Sequence, residues 1–321
     1  DNPALLDPLG ERQWTYRELN AEANRLAHAL AGDKLTRGAV FMYMLPNSAE
    51  FAFCYLAGHK IGAVGCPVNY RLGPGELALI LDDSLPLVFV YDLEYRGTVE
   101  QALALAKHRP ERLVAVGQGD LPPGHTAFED YRQAMPTENP VPSERPHIYD
   151  ETTRLYTSGT TNRAKAVPVN NINEVLSAHD VMMHFPLNST DRTMNMTPWF
   201  HRGGLHSGGI TPTFYAGGAV VILREFQPRR CLALAEAYKV TFLIALLARA
   251  QERAPARLEA LRGIVTMGSP FEKSACEAYR ELFTPNIFNG YGTTETFWNT
   301  FLRPYNLPEM AGSAGQSCTD D

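Results

Sequence analysis

The strongest constraint on this chain is a repeated change of hydrophobic period. Apolar runs at residues 40–45, 63–68 and 87–91 alternate with stretches of helical spacing at residues 49–59, 75–81 and 94–107. A short apolar run fits a strand buried on both faces, and the helices between such runs supply the cover. Ahead of this series Thr15 and Glu18 have capping-box spacing, and Leu19, Ala23, Leu26, Ala27 and Leu30 then recur on one helical face until Gly32. From residue 117 to residue 146 the texture changes to Gly, Pro, Thr and Glu, with six prolines, which reads as a long surface connection. A second series follows, with expected strands at 154–157, 219–223, 240–244 and 263–267 and helices at 172–184, 229–238 and 272–283. The expectation is an α/β chain of two layered sub-domains with mainly parallel sheets, residues 1–150 and 151–321.

Charge and cysteine usage exclude several functions. Lys and Arg number 29 against 35 Asp and Glu, a formal charge of −6, and no basic stripe is present of the kind that holds nucleic acid. The longest plainly apolar stretch, residues 240–248, is far short of the ~20 residues that span a bilayer as a helix. Cys54, Cys66, Cys231, Cys276 and Cys318 are odd in number and form no C-x-x-C, which fits reduced thiols and a cytoplasmic location.

Two clusters have the composition of ligand loops. The first, at residues 155–165, places Thr157, Ser158, Gly159, Thr160 and Thr161 after a short apolar run, with Asn162, Arg163 and Lys165 behind them. Hydroxyls and backbone N–H groups on a bending loop can converge on anionic oxygens, and a lysine at its end adds charge suited to phosphate. The Walker pattern fails, because no Gly precedes Lys165 and Ala166 follows it where Ser or Thr would hold magnesium. The second cluster is Asn289-Gly290-Tyr291-Gly292-Thr293-Thr294-Glu295. Glu295 stands where a dinucleotide fingerprint has its third glycine, so a Rossmann reading falls. An aromatic face for stacking, threonine hydroxyls and a carboxylate with oxygen ligands for Mg²⁺ remain.

Together the clusters resemble the AMP-forming acyl-CoA synthetases and their adenylating relatives. The family loop Y-T-S-G-T-T-G-x-P-K-G matches at Tyr156 through Thr161 and at Lys165, and x-G-Y-G-x-T-E matches at Gly290, Tyr291, Gly292, Thr294 and Glu295. Asn162, Ala164 and Ala166 depart from the family's glycine, proline and glycine. Residues 14–19 and 45–48 are similar to the family's amino-terminal region, so the resemblance covers essentially the whole chain. It implies an incomplete amino-terminal domain of an adenylate-forming enzyme: the T-G-D segment that grips ribose, the hinge and the carboxy-terminal lysine have no match before Asp321. The non-Met first residue and the polar stretch 312–321 agree with a chain cut at both ends, without its carboxy-terminal lid.

The resemblance also assigns roles. Thr157, Ser158, Gly159, Thr160, Thr161 and Lys165 would meet the pyrophosphate part of ATP, and Asn289, Gly290, Gly292 and Thr293 would border the nucleotide. Tyr291 would stack near adenine, Thr294 would reach the α-phosphate, and Glu295 would hold Mg²⁺. On the acyl side, residues 198–204 resemble P-x-F-H-x-x-G, which places Trp199, Phe200, His201 and Gly204 beside the acid, with Gly268, Ser269 and Pro270 on a second wall. Phe297 and Trp298 would narrow the pocket or pack in the core. Amino-acid-activating relatives have Asp at the position of His201, where it pairs an ammonium, so the implied acid has no α-amino group. His201 and His206 lack i,i+4 spacing and a third ligand, which disfavours zinc. The implied activity is ATP- and Mg²⁺-dependent conversion of a small carboxylic acid to acyl-AMP and then to acyl-CoA, with Lys165, His201, Thr294 and Glu295 as the catalytic set. Transfer to a carrier-protein thiol, or a non-catalytic nucleotide- or acyl-binding remnant, are the alternatives; an oligomer is possible, and nucleic acid is not expected as a partner.

Overall fold

The structure is a computed structural model, and it describes residues 1–142, 144–157, 164–244 and 247–318. The chain forms two compact units: Arg17–Asn173, and Asp1–Tyr16 together with Glu174–Asp321. Each is built on one sheet.

In the unit Arg17–Asn173 the strand order is Thr126–Ala127, Arg112–Val116, Val88–Asp92, Val40–Met44, Val64–Pro67, Glu151–Thr157, Lys165–Asn170. All neighbours are parallel except the last pair. Helices Pro74–Ser84 and Arg96–Leu105 cover one face, where Leu77, Leu81, Val99 and Ala102 pack on Met42, Cys66, Phe89 and Tyr91. The helix Ala49–Ile61 begins where Ser48 Oγ accepts from the Phe51 N–H and ends at Gly62 with positive φ, the usual chemistry of both helix ends.

The other unit has the strand order Gln316–Ser317, Phe297–Leu302, Ile287–Thr293, Gly263–Met267, Phe242–Ile244, Arg192–Asn195, Ala219–Val221, Pro3–Asp7, Arg12–Thr15. Its central six strands are parallel and antiparallel pairs close it at both edges. Alternation along each strand sends Leu243, Ile264 and Ile287 to one core layer and Phe242, Ile244, Val265 and Phe288 to the other.

The mainly parallel two-sheet architecture expected from the sequence is present, but the units do not follow the 150/151 division. Strand Glu151–Thr157 pairs with Val64–Pro67, which draws residues 151–173 into the first sheet. Strand Pro3–Asp7 pairs with Ala219–Val221, and Tyr16 Oη donates to the Gly218 carbonyl (2.6 Å), which joins the first sixteen residues to the second. Residues 117–146 are also more than a connection. They contain strand Thr126–Ala127 and helix Phe128–Arg132, whose Phe128 and Tyr131 are buried and whose Arg132 pairs with Glu22 and Glu129. Proline-rich composition hid a turn of helix held by tertiary contacts.

Candidate functional site

The parallel strands of the nine-stranded sheet end side by side, and loops leaving carboxyl ends are where open α/β sheets bind ligands. Three such departures converge here. Strand Arg192–Asn195 runs into Thr197–Ser207, strand Gly263–Met267 into Gly268, and strand Ile287–Thr293 into a hairpin turn at residues 294–296 before Phe297–Leu302. Between them lies a cavity of about 250 Å³ lined by His201, Arg202, Gly203, Ser207, Met267, Gly268, Gly290, Gly292, Thr293, Thr294, Phe297 and Trp298. The walls are close: a Cβ on Gly203 would come within 3.1 Å of Met267 Sδ.

Backbone contact dictates the glycine of the second cluster. Gly292 faces Trp298 across the hairpin at a register shift, and a Cβ there would lie 1.5 Å from the Phe297 carbonyl oxygen. Only glycine lets the two strands close at this point. Phe297, at positive φ, turns back into the pocket wall and stacks on Trp298 with ring centroids 4.9 Å apart. Thr293 Oγ1 lies 3.0 Å from Thr296 Oγ1, which bridges the hairpin turn and holds Thr294 and Glu295 at its tip. Behind the cavity His206 is wholly buried, with Nε2 2.6 Å from Glu174 Oε2 and the Arg202 guanidinium over the Phe297 ring at 5.3 Å. Burial holds the His206 imidazole below its ordinary value, with Arg202 adding to the effect and Glu174 opposing it.

Of the residues singled out from the sequence, His201, Gly268, Gly290, Gly292, Thr293 and Thr294 line this cavity, and Phe297 and Trp298 both line it and pack in the core. Trp199 and Phe200 are buried in packing instead, and a Cβ on Gly204 would strike the Pro198 carbonyl oxygen, so these three shape the segment that carries His201. Asn289 is buried and donates through Nδ2 to Thr266 Oγ1 (2.8 Å), which ties two strand ends together. Tyr291, Glu295, Ser269 and Pro270 are exposed. Glu295 and the Thr293 and Thr294 hydroxyls are hard oxygen donors at one hairpin tip, a donor set that fits Mg²⁺, which keeps several waters and takes one or two carboxylates. Thr157 and Lys165 belong to the other unit and face each other as the pair that opens a hairpin. Ser158, Gly159, Thr160 and Thr161 lie outside the described residues. At the base of that hairpin Tyr156 Oη donates to Asp83 Oδ2 (2.5 Å), and burial with this carboxylate pushes the phenol well up.

Arg202, Ser207 and Met267 were not singled out from the sequence. Arg202 lies within the His201 motif and Ser207 just beyond it, and only the turn of helix Arg202–His206 brings them to the wall. Among the described residues one further cluster has ligating chemistry: Asp180, His184 and Cys318 offer atoms within 4.8 Å of one another. Arg303 Nη2 donates to His184 Nδ1 (2.6 Å), which leaves the ring proton on Nε2, 2.8 Å from Asp180 Oδ1. In this arrangement the imidazole has no lone pair to give an ion.

Fold and cavity define an α/β protein with a cavity at the carboxyl ends of a parallel sheet. The sequence profile of the AMP-binding enzymes matches residues 1–320, and the chain belongs to that family. It is 29% identical over 314 residues to feruloyl-CoA synthase from Amycolatopsis sp, covering 95% of this chain and 60% of that protein. It is 27% identical over 297 residues to the 3-hydroxybenzoate--CoA/4-hydroxybenzoate--CoA ligase of Thauera aromatica, covering 89% of this chain and 55% of the relative. Among solved structures, the anthranilate CoA ligase AuaEII in complex with anthranoyl-AMP superposes with a TM-score of 0.91 at 25% identity, over 99% of this chain and 62% of the other. The chain therefore spans 60% and 55% of the length of these two curated relatives. Among the described residues no helix is long and apolar enough to cross a membrane.

Proposed function

We propose that this chain carries the acid- and nucleotide-binding part of an enzyme that activates a compact aromatic carboxylic acid as its acyl-AMP and passes the acyl group to the thiol of CoA. The observation that carries the reading is the cavity in which the His201 segment meets the Gly290–Thr294 strand end. Its lining combines the apolar side chains of Phe297, Trp298 and Met267 with the threonines Thr293 and Thr294, the combination an acyl-adenylate needs. A volume of about 250 Å³ lies just under the ~300–1,000 Å³ usual for ligand pockets and suits a ring better than a long chain. The names of the relatives, which include feruloyl-CoA synthase and the hydroxybenzoate ligase, support an aromatic acid and a CoA acceptor.

In this reading a carboxylate oxygen attacks the α-phosphorus of ATP, pyrophosphate departs, and the CoA thiol then displaces AMP. His201 borders the reacting carboxyl, and the absence of a carboxylate at that position leaves no partner for an α-ammonium group. Thr294 donates to the α-phosphate, Tyr291 offers its exposed ring to adenine, and Glu295 would hold Mg²⁺, which supplies charge neutralisation for the phosphates. Lys165, with Thr157 and the hydroxyl residues that follow it, is assigned to the pyrophosphate. Acid-dependent exchange of labelled pyrophosphate into ATP, measured on the longest natural protein containing this chain with a panel of substituted benzoates, cinnamates and fatty acids, tests the proposal. Exchange is expected with a subset of the aromatic acids; no exchange with any acid would refute it.

A further inference from the structure

We propose that Asn195 is a positioning residue that sets the acyl wall of the cavity, an inference that rests on the function proposed above. Asn195 is the last residue of strand Arg192–Asn195 and is 3% exposed. Its Oδ1 accepts from the Thr197 N–H (2.8 Å), while its Nδ2 donates to the carbonyls of Gly203 (3.1 Å) and Ser207 (3.1 Å). One amide thus spans the whole segment from the strand end to the far side of the loop. Gly203 and Ser207 both line the cavity, and His201 and Arg202 lie between the Thr197 and Gly203 contacts.

The segment needs such an anchor for two physical reasons. Helix Arg202–His206 has five residues, too few to hold itself, and the carbonyls at the end of so short a helix have few partners of their own. The loop also folds back on itself with no slack: a Cβ on Gly204 would lie 2.0 Å from the Pro198 carbonyl oxygen, and one on Gly209 would lie 1.8 Å from the Gly204 carbonyl oxygen. A second tie, His206 to Glu174, holds the other side of the helix to Asn171–His184. Within this frame the Asn195 amide does what neither a carboxylate nor an alkyl chain can, because it accepts at one end and donates twice at the other. Its removal would take that donor from the buried Ser207 carbonyl and the part-buried Gly203 carbonyl and release the wall that faces the acyl group, while Gly290–Thr294 on the nucleotide side keeps its own hairpin bonds.

Asn195→Asp, which keeps the acceptor and loses the donor, and Asn195→Leu, which loses both, test the assignment in the natural protein. The probes are benzoyl-sulfamoyl-adenosine, a stable mimic of an acyl-adenylate, and AMP, with dissociation constants read by calorimetry. Both variants should bind the acyl mimic about 10- to 100-fold more weakly, the range that loosened positioning produces, while AMP affinity stays within about twofold. Asn24→Asp is the control, since Asn24 is a buried amide of the other unit that donates to the Thr137 carbonyl (2.6 Å), and it should leave the ratio of the two affinities unchanged. Equal loss of both ligands, or wild-type affinity for both, would overturn the proposal. A wild-type protein that binds neither ligand would instead overturn the functional reading. If neither variant folds, hydrogen exchange on the wild type reads the same point: the Thr197, Leu205 and Ser207 amides should gain protection with the acyl mimic and not with AMP, and unchanged protection with the mimic would overturn it.

Discussion

Gly292→Ala is a sharp test of how the site is built. The added Cβ would sit 1.5 Å from the Phe297 carbonyl oxygen, 2.5 Å from its carbon and 2.9 Å from the Trp298 Cα. Non-bonded carbons rest at about 3.5–4.0 Å, so the hairpin would have to open by about 2 Å at a point where both partners are backbone and no side chain can rotate away. Overpacking of this kind costs typically 1–3 kcal/mol, and the absence of a flexible neighbour places this case near about 3 kcal/mol. For a unit of ~150–250 residues each kcal/mol lowers the melting temperature by about 2–4 °C, so a drop of about 6–12 °C is expected. AMP affinity should fall with it, because Gly292, Thr293 and Phe297 share the cavity wall. The matched control is Gly97→Ala in the helix Arg96–Leu105, where a Cβ meets nothing within 4 Å. Replacing a helical glycine by alanine there should be neutral or stabilise by up to about 1 kcal/mol. Scanning calorimetry of the two variants decides the matter. A Gly292→Ala protein that melts with the wild type and keeps its AMP affinity would show that the hairpin does not close in this register.

Glu295→Gln should abolish most acid-dependent pyrophosphate exchange while leaving the melting temperature unchanged, because the residue is exposed and an amide is a poor substitute for an anion at Mg²⁺; turnover equal to wild type would remove Glu295 from the metal. Because burial holds His206 below its ordinary value of 6.5, the unfolded chain takes up its proton first as pH falls. Stability present above about pH 6.5 should therefore decline as the pH drops below it, and His206→Gln should flatten that part of the melting curve against pH. A steeper decline in the variant, or stability that rises on acidification through this window, would mean that Glu174 holds the imidazole charged.

The sequence by itself determined the architecture to a large extent, because period and composition are local properties. The run at residues 263–267 is the strand Gly263–Met267, and the helical spacing at 172–184 is the helix Asn171–His184. The two candidate clusters stand out for the same reason: glycines, hydroxyls and a carboxylate in fixed order are chemical statements that need no partner. Strands Pro3–Asp7, Arg112–Val116 and Lys165–Asn170 were not legible, since a short strand with a proline or a charged flank exists only through its neighbours in a sheet. The unit boundary failed for that reason, as pairing of residues 151–157 with Val64–Pro67 is a long-range event that proline content does not encode. At the site, tertiary structure alone decided which motif residues face the cavity and which pack behind it. Trp199 and Phe200 read as pocket residues and lie in the core, while Arg202, Ser207 and Met267 reach the wall. Asn195 carries no sequence signal at all: an asparagine at a strand end is ordinary until the chain folds back and puts the carbonyls of residues 203 and 207 within reach of its amide.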